Sequence, residues 1–150
     1  MKIRTASLAL VVAAAVAATG CGHVMMMMHG NTVARPPATE FGTGPRASAS
    51  RQFTATLQAD LPLRPRRMQT VRVAITDAAG APVDDATIQI DGGMHQHGHG
   101  LPTRPRVTRA LGNGLYEIEG VRFNMGGWWE FKLAINAASG SDVVTFNLAL

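Results

Sequence analysis

Thr70-Val71-Arg72-Val73-Ala74-Ile75-Thr76 alternates apolar and polar side chains with little interruption. Successive side chains of an extended strand point to opposite faces, so this period of two turns Val71, Val73 and Ile75 toward a core. The pattern repeats on both sides of that stretch. Upstream lies Phe53-Thr54-Ala55-Thr56-Leu57-Gln58-Ala59, again alternating. Downstream, Ala86-Thr87-Ile88-Gln89-Ile90 predicts a third strand and residues 106–111 a weaker fourth. Leu115-Tyr116-Glu117-Ile118-Glu119 and Val121-Arg122-Phe123 follow. Trp128-Trp129-Glu130-Phe131-Lys132-Leu133-Ala134-Ile135 offers Trp129, Phe131, Leu133 and Ile135 as its inward set, and Val144-Thr145-Phe146-Asn147-Leu148 closes the chain.

Turn formers separate these runs. They are the proline- and arginine-rich residues 61–67, the run Asp77-Ala78-Ala79-Gly80-Ala81-Pro82, the proline-bracketed residues 101–105, and Gly112-Asn113-Gly114. About seven short antiparallel strands at regular spacing, with no helical period, predict an all-β immunoglobulin-like sandwich. Tyr116 after the glycine turn resembles a tyrosine corner, whose phenol hydrogen-bonds back across one end of a sandwich.

The first third of the chain reads differently. Lys2 and Arg4 precede an apolar run from Ser7 to Ala18, and Thr19-Gly20-Cys21 ends it. A basic start, a short apolar stretch and small residues before a cut describe a secretory signal peptide over residues 1–21. Ala18-Thr19-Gly20-Cys21 resembles a bacterial lipobox, so Cys21 is expected to carry lipid and anchor the protein to a membrane in the periplasm or cell envelope. It is the only cysteine in the sequence, which leaves it no internal disulfide partner. Residues 22–51, rich in Gly, Pro, Ala, Ser and Thr, bury too little apolar surface to offset their ordering entropy and are expected to form a flexible tether. Within them His23, Met25, Met26, Met27, Met28 and His29 are candidate ligands for a soft ion such as Cu(I). The folded domain is expected over residues 52–150.

Setting aside Lys2 and Arg4 leaves 12 basic side chains against 10 acidic ones. The arginines are scattered among prolines without interleaved aromatics, whereas a nucleic-acid surface needs a concentrated basic stripe. Export argues the same way, and no nucleic-acid partner is expected.

The third strand runs into Gly92-Gly93-Met94-His95-Gln96-His97-Gly98-His99-Gly100, which holds three of the five histidines. On an extended backbone His95, His97 and His99 would share one face. Converging neutral imidazoles beside a thioether bind copper and zinc. The plain alternative is a glycine-rich surface loop with solvated histidines. Met94, His97 and His99 are the first-choice ligands, with His95 and Met125 as further candidates. Trp128 is expected to face away from the core, as a π cap over a cationic copper or as a plain surface aromatic.

Three segments together carry a family resemblance: Gly80-Ala81-Pro82-Val83-Asp84-Asp85-Ala86-Thr87-Ile88, the Met-His loop, and Asn124-Met125-Gly126-Gly127-Trp128-Trp129. In this order they resemble the YtkA-like domain, related to the periplasmic part of FixH proteins, over roughly residues 53–150. The resemblance implies an exported immunoglobulin-like domain associated with copper handling and oxidase assembly. A copper-donating or copper-accepting envelope protein is then the expected partner. His95 stands where the family's loop often carries proline.

Enzymatic readings fit less well. A Cu/Zn superoxide dismutase needs more histidines than the loop supplies, since the others are His23 and His29. Hydrolytic zinc on His95, His97 and His99 with Asp91 would also need an open position and a general base. No Ser-His-Asp or Cys-His set is visible, so no enzyme is expected. The main competitor is a metal-free immunoglobulin-like binding or assembly module of the cell envelope, its histidines forming a pH-sensitive surface.

Overall fold

The structure, a computed structural model, describes residues 33–60 and 62–150. The signal segment, Cys21 and the run from His23 to His29 lie outside the described residues.

Nine strands follow one another: β1 (Arg46–Ala47), β2 (Phe53–Gln58), β3 (Met68–Asp77), β4 (Thr87–Met94), β5 (His99–Gly100), β6 (Arg106–Gly112), β7 (Leu115–Arg122), β8 (Trp128–Ala137) and β9 (Gly140–Ala149). They form two antiparallel sheets, in the orders β1-β2-β3-β7-β6 and β5-β4-β8-β9. With β2 as the first strand of an immunoglobulin domain, these are the A-B-E-D sheet and the C-F-G sheet with one extra edge strand. The sandwich expected from the alternation is therefore the observed fold. Its seven long strands are those the sequence marks, and β1 and β5 are the two-residue additions.

The core lies between the sheets. Val71, Val73 and Ile75 of β3 meet Trp129, Phe131, Leu133 and Ile135 of β8, all essentially inaccessible to solvent. Phe123 packs edge-on against Trp129 and Phe131, with ring centroids 5.2 and 6.3 Å away. Tyr116 acts as a corner: its hydroxyl donates to the Val83 carbonyl at 2.8 Å and accepts from the Ala86 amide at 2.9 Å. It sits at the start of the E-equivalent strand and ties down the β3–β4 connection, whereas the immunoglobulin tyrosine corner lies on strand F.

Two boundaries differ from the sequence reading. The runs at residues 115–119 and 121–123 are mostly one strand, β7, with a bulge. Val71 pairs with Ile118 and Gln69 with Val121, so β7 carries an extra residue there. Gly120 has φ +82°, a left-handed conformation that glycine adopts without strain, and the bulge shifts the inward phase from Ile118 to Val121. The sandwich also takes in part of the segment expected as tether. β1 pairs with β2, the Gly42 amide donates to the Asn147 carbonyl at 2.9 Å, and Ser48 is buried with its hydroxyl accepting from the Phe53 amide at 2.9 Å. Backbone hydrogen bonds, more than apolar side chains, hold this stretch, which explains why hydrophobic periodicity does not reveal it.

Candidate metal site at the sandwich rim

The histidine loop is a tight reversal between β4 and β5 at one end of the sandwich. β4 is longer than the sequence suggested and runs through Asp91-Gly92-Gly93-Met94. Neighbouring backbone leaves no room for side chains there. A Cβ on Gly92 would strike the Glu130 carbonyl, and one on Gly93 would lie 2.5 Å from the His99 carbonyl. His95–His97 then form one turn of 3-10 helix, Gly98 takes the left-handed conformation at φ +62°, and β5 pairs back with Gly93 opposite Gly100 and Met94 opposite His99.

That turn overturns the expectation of three imidazoles on one extended face, because a chain that reverses in three residues cannot stay extended. The histidines separate into a pair and a single ring. His97 and His99 are exposed and stacked, with centroids 6.2 Å apart and planes 6° from parallel. Neither ring has a hydrogen-bond partner among the described residues. His95 turns toward β8, where its Nε2 lies 2.6 Å from Glu130 Oε2 and its ring centroid 6.2 Å from that of Trp128.

Glu130 is the residue that the sequence reading missed. Its Oε2 also accepts from Lys132 Nζ at 2.7 Å. Partial burial pushes the Glu130 carboxyl up, but hydrogen bonds from Lys132 and His95 and the positive charge of Lys132 outweigh this and hold it below its ordinary value. An ionised carboxylate only accepts, so the Nε2 of His95 carries the shared hydrogen. A neutral His95 then presents Nδ1 as its lone pair, the arrangement in which carboxylates orient metal-binding histidines. The only hint in the sequence is that Glu130 alternates with Trp129 and Phe131 on β8. Its neighbour across the sheet, Gly93, comes from the β4–β8 register. Asp91, His95, His99, Glu130 and Lys132 are among the residues around a shallow cavity of about 290 Å³.

The other candidates are placed differently. Met94 is 2 % exposed and belongs to the core, where its terminal methyl fills the space above Gly127. A first-choice ligand is thus a packing residue, because the β4 alternation turns Met94 inward. Trp128 does face away from the central core, but it is 2 % exposed. Its Nε1 donates to Asn147 Oδ1 at 2.9 Å, and Phe41 covers it edge-on at 6.4 Å. It borders His95 from beneath and is not the open surface aromatic expected. Met125 stands in the β7–β8 connection at the same end, 37 % exposed, its carbonyl accepting from Trp129 Nε1 at 3.0 Å. Among the described residues no three His, Cys, Asp or Glu side chains are grouped to enclose an ion. The rim therefore offers an open pair of imidazoles and a third held by a carboxylate.

A family model described as YtkA-like matches residues 48–134. No curated protein matches the sequence. Among solved structures the chain is similar to the ZirS C-terminal domain at 14 % identity, over 93 % of this chain and 88 % of that one, with a TM-score of 0.37.

Proposed function

The chain belongs to the YtkA-like family, and from that premise we propose that it is an exported, lipid-anchored copper-binding protein that exchanges its metal with an envelope partner. The observation that carries this reading is the parallel, unbonded pair His97 and His99 on an exposed turn. Two imidazoles without protein partners supply nitrogen donors suited to copper and, less selectively, to zinc. His95 adds a third nitrogen through Nδ1 while Glu130 holds Nε2. Met125 is a partly exposed thioether in the β7–β8 connection at this end, so it replaces Met94 as the soft donor. An open, glycine-flanked site favours exchange over storage, and the reading is of a carrier and not of a catalyst.

The metal-free envelope module is the second reading. It is favoured by the carboxylate on His95 and by the packing role of Met94. Titration of the mature protein with copper under reducing and oxidising conditions separates the two. Stoichiometric binding that His97→Ala/His99→Ala abolishes supports the copper site, and unchanged affinity in that double variant rejects it. A preference for zinc under both conditions would reassign the cargo.

A further inference from the structure

The histidine turn shares its end of the sandwich with a concentration of unpaired positive charge. β3 begins and β7 ends there, with Met68 opposite Arg122, and β6 begins there, with Arg106 opposite Glu119. The connections at residues 59–60 and 62–67, 101–105 and 123–127 close the same end. Together they present Arg64, Arg66, Arg67, Arg104, Arg106 and Arg122, all exposed, and none is in an ion pair among the described residues. Two nearby carboxylates are already engaged, Asp60 with Arg72 and Glu130 with Lys132 and His95. Among the described residues Asp91, Glu119 and Glu40, the last beside Phe41, are the carboxylates outside ion pairs at this end. At the opposite end Asp77, Asp84, Asp85 and Asp142 accept from backbone amides. The domain is thus polarised along its strands.

The basic end is also apolar in places. Met68 is 62 % exposed and Met125 37 %, and Arg64 and Arg67 line a cavity of about 420 Å³ with Leu63 and Met68. Planar guanidiniums match phosphate oxygens, while exposed thioether chains fit the region just beneath lipid headgroups. The described chain enters the sandwich at this end too, since Arg35 and Phe41 border Ala149 at the end of β9. We propose that this arginine-and-methionine rim docks on the anionic headgroups of a phospholipid bilayer, presenting the histidine turn at the membrane surface. The inference does not depend on copper.

The test is partition of the full-length chain between phosphatidylcholine vesicles with and without phosphatidylglycerol. A leader or lipid at the N-terminus inserts into both, so only the preference between them reports the rim. We expect a preference for the anionic vesicles that falls steeply with salt. It should drop by at least about tenfold in Arg64→Gln/Arg66→Gln/Arg67→Gln, since each guanidinium near the headgroups contributes roughly fivefold. His97→Ala/His99→Ala should keep the preference, which separates failure of the copper reading from failure of this one. A preference that survives the triple substitution, or a wild-type preference insensitive to salt, overturns the proposal. Arginine-dependent capture on immobilised polyglutamate without any preference among vesicles also overturns it, and assigns the surface to an acidic protein.

Discussion

His95 Nε2 lies 2.6 Å from Glu130 Oε2, joining the turn after β4 to the outward face of β8. This is the one side-chain hydrogen bond among the described residues that fastens the histidine turn to the sheet. It fixes which nitrogen of His95 stays available. If His95 contributes to a metal site, Glu130→Ala should weaken copper binding by about tenfold or more, the usual loss on removing a carboxylate behind a histidine ligand. Glu130→Gln, which keeps an acceptor, should lose less. Equal affinity of wild type and Glu130→Ala in a copper titration would remove His95 from the ligand set.

Met94 gives a sharper separation between packing and ligation. Its side chain lies in the core above Gly127. Met94→Ala should therefore cost about 2–5 kcal/mol of stability. Met94→Leu, which keeps the volume, should cost less than about 1.5 kcal/mol. Copper affinity of the Leu variant should equal that of wild type, and a large loss in that variant would return the thioether to the metal.

Tyr116 holds the β3–β4 connection through one donated and one accepted hydrogen bond. Tyr116→Phe leaves the Val83 carbonyl and the Ala86 amide without that partner while preserving the buried ring. Chemical denaturation should show a loss of about 1–3 kcal/mol. A variant as stable as wild type would mean that water replaces the phenol at both groups.

Asp142 pins the corner before β2 to β9. A hydrogen bond from the Ser48 hydroxyl is the largest influence on its carboxyl. Burial opposes it, but amides of Val143, Ser50 and Gln52 add to the hydroxyl's effect, and together they hold the group below its ordinary value. A depressed folded-state value stabilises the fold above the ordinary aspartate range, and that contribution disappears as pH falls through the folded value. Asp142→Asn should thus be less stable than wild type near neutrality, with the difference shrinking in acid. Parallel thermal melts across that range check this, and a constant difference would exclude the carboxylate as its source.

Much of the fold was legible in the sequence because half-buried strands print their geometry as alternation. Val71, Val73 and Ile75, and then Trp129, Phe131, Leu133 and Ile135, are read inward and are inward. Periodicity fails where the backbone departs from two residues per repeat or is held by hydrogen bonds alone. Gly120 hides a continuous β7 behind a bulge, and β1 has no apolar pattern to reveal.

By itself the sequence determined the two-sheet sandwich, its seven long strands and the place of the histidines at the end of one of them, since these follow from local alternation and turn chemistry. Only the tertiary structure decided what those histidines face. Glu130 reaches His95 through the β4–β8 register, Met94 is turned into the core, and His97 comes beside His99 across the left-handed Gly98. Register and reversal are products of long-range pairing and packing, and no short window of residues encodes them.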